Sequence, residues 1–301
     1  MSLLESPALA QAGNTGPTLP RLVKAELSKI RTTNTWWLLA LGMIAITALA
    51  FTSNAFRHHF DLFPPLGGGA EQQQELQAQA AQAHTAAGLA QIAADMITSG
   101  QFFGLLLSMI IGILVITNEF FHQTATTTFM TSPHRSMVIA AKTAAAVLFG
   151  ALFWLISTIL NLIATPIYLS SQHVSVSITD WPVVQSALLN LLAFVVWAIL
   201  GMGLGTLIRS QIGAVITGMA LYLLGTAAVA ILFGILENLI HKDWVITAQV
   251  IAPAIASRIM ITPGETYPHA APQWVGGAVL IGYAVVAGAV GTVIMRRRDI
   301  S

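Results

Sequence analysis

Six apolar runs, each close to the ~20 residues that a helix needs to cross the hydrocarbon core of a bilayer, recur along this chain of 301 residues. They cover about 36–56, 97–117, 143–168, 184–208, 212–236 and 274–295. Inside lipid the backbone has no water to bond, so runs of this length fold as helices that satisfy their own N–H and C=O groups. The expected fold class is an all-α integral membrane protein with six transmembrane helices. Composition closes the soluble alternative: 8% charged residues, against the usual ~25%, cannot cover the surface of a soluble globule of this size. The chain has no cysteine, which excludes disulfides, thiol catalysis and zinc-thiolate sites. A cleaved signal peptide is not expected, because the first apolar run begins only at Trp36, behind a basic segment.

An even number of spans puts both termini on one side. With that side cytoplasmic, Arg21, Lys24, Lys29, Arg31, Arg135, Lys142, Arg209, Arg296, Arg297 and Arg298 fall inside, and only Arg57, Lys242 and Arg258 fall outside. This asymmetry satisfies the positive-inside rule, and the expected location is a bacterial-type cytoplasmic membrane with both termini inside. Trp36, Trp37, Trp181 and Trp274 stand at span edges, where amphipathic rings anchor at the interface. The basic residues are accounted for by topology, and Arg296, Arg297 and Arg298 directly abut the last span, so no nucleic-acid partner is expected.

The connecting segments differ in character. Residues 1–20, rich in Ala, Gly, Pro, Thr and Ser, read as a disordered cytoplasmic tail. Within 21–35, Val23, Leu27 and Ile30 share one helical face while Arg21, Lys24, Ser28 and Arg31 occupy the opposite arc. That pattern predicts a basic amphipathic helix on the inner leaflet, either a topological anchor or an elbow holding the first span. The membrane-spanning body is then expected over 36–301. Spans four and five, separated by Arg209, Ser210 and Gln211, are expected to form a tight hairpin at the cytoplasmic face. The first outer loop carries a Gln/Ala-rich stretch over 71–82 that favours a helix outside the membrane. The last outer loop, about 237–273, holds Trp244-Val245-Ile246 and an apolar stretch around Pro253. These segments are too apolar for a free loop and too short to span, so interfacial or re-entrant helices are expected.

Between spans two and three, a carboxylate at Glu119 is followed by a Thr-rich stretch over 124–131 and then by Pro133, Arg135 and Lys142. The loop is long enough for one short helix lying along the membrane. At these residues the chain resembles the permease subunit of ABC-2-type ABC exporters. The elbow pattern of that family is matched at Glu26, Lys29, Arg31, Thr32 and Thr33, with Lys24 two residues before it. The coupling-segment pattern is matched at Glu119, Thr124, Pro133, Arg135 and Lys142, and departs from it at Gln123, where the family usually has Gly. The resemblance implies six spans, an N-terminal elbow, a cytoplasmic coupling helix and an outer re-entrant segment.

The resemblance further implies a second permease chain, two cytoplasmic P-loop ATPase subunits carrying ATP and Mg, and an ATPase groove seating the loop 118–142. Glu119, Gln123, Thr124, Phe129, Pro133 and Arg135 would make that contact, with Glu119 and Arg135 as rim charges setting register. No Gly-Lys dipeptide occurs in the sequence, so the chain carries no Walker A loop. No cofactor, metal or enzymatic activity is therefore expected in this chain.

Within the spans, Asn161 and Asn190 are the embedded amides, serving as interhelical glue or as substrate contacts. No acid or base is predicted at the middle of any span, which disfavours an ion-coupled antiporter and favours an apolar or amphipathic cargo, drug-like, lipid-like or peptide. Phe149, Phe153, Trp154 and Trp197 are the candidate aromatic walls of its path, or plain packing. Gly104, Ser108 and Gly112 in span two, with Gly201 and Gly205 in span four, form small-residue stripes that predict close helix approach. Of the other readings, an intramembrane protease lacks its His-Glu-x-x-His pattern or a buried His, whereas a passive channel or membrane scaffold stays open.

Overall fold

The computed structural model describes residues 18–67, 69–121, 135–174, 177–208 and 210–297. Helix α1, Leu19–Arg31, precedes α2, Thr35–Leu62. Two shorter helices follow, α3, Ala70–Ala83, and α4, Ala86–Ile97, before α5, Gln101–Phe121. Long helices α6, Arg135–Ser171, α7, Trp181–Leu207, and α8, Gln211–Ile240, complete the middle of the chain. Helix α9, Asp243–Thr247, and a 3₁₀ turn over Ala248–Ile251 lead to α10, Pro253–Ile261, and α11, Gln273–Arg297, closes the chain. Six of these segments are long and apolar enough to cross a membrane, and the protein is a multi-pass, all-α membrane protein.

Helices α5 and α7 form the centre, and α7 also packs against α6 and α11. Their contact explains the small-residue stripes, because the two stripes face each other. A methyl group added at Gly112 would run into the carbonyl of Ala198, and one at Gly201 into the carbonyl of Met109. Beside those contacts Ser108 Oγ donates to the Phe194 carbonyl at 2.7 Å. By contrast α2, α8 and α11 are peripheral, turning Leu49, Leu224, Leu239 and Val285 outward, the surface that a bilayer solvates.

Three expectations need correction. The second span does not start at 97: an apolar helix, α4, precedes it, and the pair runs from Ala86 to Glu119 with a break at residues 98–100. Ile92, Ala93, Met96 and Ile97 of α4 are buried against Leu62, Leu169 and Val183, so this part of the segment between spans one and two is core. Only the Gln/Ala-rich stretch forms a separate helix, α3. Spans four and five do separate, with α7 ending at Leu207 and α8 beginning at Gln211, but α8 leans on α5 more than on α7, with Gly218 close to Met109, Ile113 and Leu204. The predicted tight hairpin is therefore a loose one.

The break between α4 and α5 is built from identifiable interactions. Gly100 adopts φ +85°, a left-handed conformation that glycine takes at no steric cost, and its missing Cβ would lie 3.0 Å from the Thr47 backbone of α2. Asn161 Nδ2 of α6 donates to the carbonyls of Ile97 and Ser99 at 2.9 Å each, and Ser157 Oγ donates to the same Ser99 carbonyl. Carbonyls freed at the end of α4 are thus satisfied from the neighbouring span, as backbone in lipid must be. Further along, Asp243–Ile251 and Pro253–Ile261 meet at 103°, and α10 packs on α11 where Gly276 lies against the backbone of Ala256.

Candidate functional site

A ring of four charges closes one end of the bundle. Lys142, in the second turn of α6, is completely buried. Its Nζ donates to Glu26 Oε2 at 2.8 Å and lies 2.8 Å from Glu119 Oε1, while the Val115 carbonyl is 3.5 Å away. Lys29 Nζ donates to Glu26 Oε1 at 2.7 Å and to Glu119 Oε1 at 2.9 Å. Two ammonium groups and two carboxylates therefore alternate around a closed, electrically neutral circuit. A charge removed from water costs several kcal/mol unless its partners and hydrogen bonds are complete, and this ring supplies them for Lys142. The half-exposed Lys29 would be pulled down by its own desolvation, but its bonds to Glu26 and Glu119 prevail and raise its pKa above the ordinary lysine value.

The ring arises from helical register. Glu26 lies one turn before Ile30 on α1, and both are buried while Lys24 and Arg31 face outward. Glu119 lies in the last turn of α5 and Lys142 about two turns into α6, the two helices that flank residues 122–134. One electrostatic knot thereby fastens α1 to both of those helices.

The opposite end of α5, about 27 Å away at 1.5 Å per residue, holds a different arrangement. A cavity of about 610 Å³ opens beside the break at 98–100. Asn54 and Arg57 of α2, Phe102 and Phe103 of α5, Tyr222 of α8 and Arg258 of α10 are among its walls. Arg57 Nη2 donates to Asp95 Oδ2 at 3.3 Å, and His58 Nδ1 lies 2.9 Å from Asp61 Oδ2. Arg57 and Asp95 also line an adjoining cavity of about 490 Å³ roofed by Leu76, Gln79 and Gln82 of α3.

The residues singled out in the sequence are placed unevenly. Glu119 belongs to the ring and is buried, at 5% exposure: carboxylate desolvation is offset there by two lysines, and the side chain ties the last turn of α5 to α1 and α6. Gln123, Thr124, Phe129 and Pro133 lie outside the described residues, and Arg135 begins α6. Lys29 and Glu26 enter the ring, whereas Lys24 and Arg31 do not.

The proposed cargo-path residues are packed. Phe149 and Phe153 are core, Trp154 Nε1 donates to the Ala187 carbonyl at 2.9 Å, and Trp197 Nε1 donates to Ser257 Oγ at 2.8 Å. Asn161 is committed to the α4 break, and Asn190 is buried with its Oδ1 unpartnered. None of these lines either of the two cavities. Sequence reading missed Lys142 as a partner of Glu26. The available signal was a carboxylate at 26 in the same register as Val23 and Ile30.

Residues 76–301 match a family model described as a protein of unknown function, DUF2705. No curated protein matches the chain.

Proposed function

We propose that this chain, which belongs to the DUF2705 family of unknown function, is the membrane-spanning subunit of an ATP-driven exporter that borrows its ATPase from separate polypeptides. The observation that carries this reading is the charged ring of Glu26, Lys29, Glu119 and Lys142. It clamps the amphipathic helix α1 and the base of the 118–142 loop into one unit at the end of the bundle that the positive-inside rule assigns to the cytoplasm. A loop seated in an ATPase groove delivers force to the spans only if its two roots are rigid, and buried, fully paired charges supply such rigidity.

The resemblance of the loop and elbow patterns to ABC-2-type permeases supports the same reading, with α1 as the elbow and the bent α9–α10 segment as the outer re-entrant element. A second permease chain and two P-loop ATPases complete the complex, and both termini lie in the cytoplasm. Gln123, Thr124, Phe129, Pro133 and Arg135 make the docking contact in this account, while Glu119 positions them.

Gentle solubilisation of the tagged chain from its native membrane tests the proposal. A stoichiometric P-loop ATPase should co-purify with the wild type and be depleted for Arg135→Glu. Absence of any ATPase, under conditions that keep other ABC complexes intact, would leave a passive channel or scaffold as the better account.

A further inference from the structure

The cavity beside the α4–α5 break has the chemistry of a ligand site. Its walls are of two kinds. Phe102, Phe103 and Tyr222 form an aromatic cluster, with ring centroids 5.0 Å apart for Phe102 with both Phe103 and Tyr222, and Leu105 and Ile261 extend that apolar side. Facing solvent are Arg57, Asp95 and Arg258, the charged groups of the lining. Asp95 is bonded to Arg57, whereas no carboxylate among the described residues pairs with Arg258. The hydroxyls of Thr266 and Tyr267, both on the lining, are shielded from solvent and have no hydrogen-bond partner. The lining therefore carries an excess cation and two unused hydroxyls at the rim of an apolar, aromatic chamber.

We infer that this cavity binds an amphiphile with an anionic head, a carboxylate or phosphate, whose head meets the Arg258 guanidinium and whose apolar tail lies against Phe102, Phe103 and Tyr222. Guanidinium forks match carboxylate and phosphate oxygens, and a charge-assisted bond of this kind is about twice as strong as a neutral one. The volume, about 610 Å³, is within the usual range for small-molecule sites, roughly 300–1,000 Å³. The inference rests on the exporter reading only for the ligand being cargo, since binding needs this chain alone.

The test uses the full chain in nanodiscs of zwitterionic lipid, titrated with 11-(dansylamino)undecanoic acid and, separately, with its methyl ester. The acid should bind saturably and the ester about tenfold more weakly, with Arg258→Ala lowering affinity for the acid by about tenfold and Arg258→Lys retaining part of it. Lys242→Ala, a basic change outside the cavity lining, should bind as wild type, and each variant must keep the wild-type elution profile. Equal binding of acid and ester, or wild-type affinity in well-folded Arg258→Ala, would overturn the inference. Repeating the titration in nanodiscs containing phosphatidylglycerol identifies the source: competition assigns the site to a leaflet lipid headgroup, and unchanged affinity assigns it to a free amphiphile. Failure of ATPase co-purification would leave these binding results untouched.

Discussion

Lys142 is the residue whose removal should be felt most. It is completely buried between two carboxylates, so Lys142→Ala leaves Glu26 and Glu119 facing each other with only the half-exposed Lys29 between them. Breaking a buried pair from one side costs roughly 3–5 kcal/mol, and the expected outcome is a marked drop in the detergent melting temperature, while Lys24→Ala on the exposed face of α1 leaves it unchanged. Lys29 gives the ring a pH dependence of defined sign. Its folded pKa is raised above the unfolded lysine value, so its contribution is fully present below that value and is lost as pH rises through the folded one. Melting temperature should hold level from neutral pH to about pH 10 and fall above it, and Lys29→Met should flatten that fall. A steeper alkaline fall in the mutant would contradict the assignment. Single-residue reasoning could find α1 because its basic arc is solvated, but it gave Glu26 only a place in the elbow pattern. Whether a carboxylate is paired inside depends on a lysine 116 positions away, and no local pattern encodes that.

Among elements, the six apolar runs were readable because hydrocarbon imposes a minimum length on a helix, and the glycine stripes were readable because close approach demands small side chains. Their pairing was not, since a stripe on α5 states that something comes close without saying which helix does. Helix α4 escaped notice because Asp95 and small residues interrupt its apolar run. Its burial comes from Leu62, Leu169 and Val183 on three other elements. The α5–α7 crossing gives a sharp contrast among glycines. Gly112→Ala and Gly201→Ala each force a methyl group into a facing backbone carbonyl, and overpacking of this kind costs about 1–3 kcal/mol or more. Gly225 on α8 has open space around its missing Cβ, so Gly225→Ala should be neutral or stabilising by about 0.5–1 kcal/mol through helix propensity. Thermal melting of the three purified variants decides the point, and equal melting of Gly112→Ala and Gly225→Ala would refute the crossing.

At the scale of the molecule, two chemically distinct ends are joined by a closely packed α5–α7 axis. One end is a neutral, buried ring that fixes the base of the 118–142 loop, and the other is a cavity with a net cationic rim beside a broken helix. A machine driven from outside the membrane needs a rigid input at one face and a deformable chamber toward the other. The ring and the α4–α5 break correspond to those parts in the exporter account. What the sequence could convey here was order along the chain, through the elbow, loop and outer-segment patterns. The division of labour between the two ends emerged only when Glu26, Glu119 and Lys142 came together in space. The central claim is that the 118–142 loop meets an ATPase. Its most direct test places a photo-crosslinking amino acid at Gln123 or Phe129 in the native membrane and identifies the adduct by mass spectrometry. The account predicts a P-loop ATPase crosslinked at both positions, and adducts confined to lipid or to unrelated proteins would contradict it.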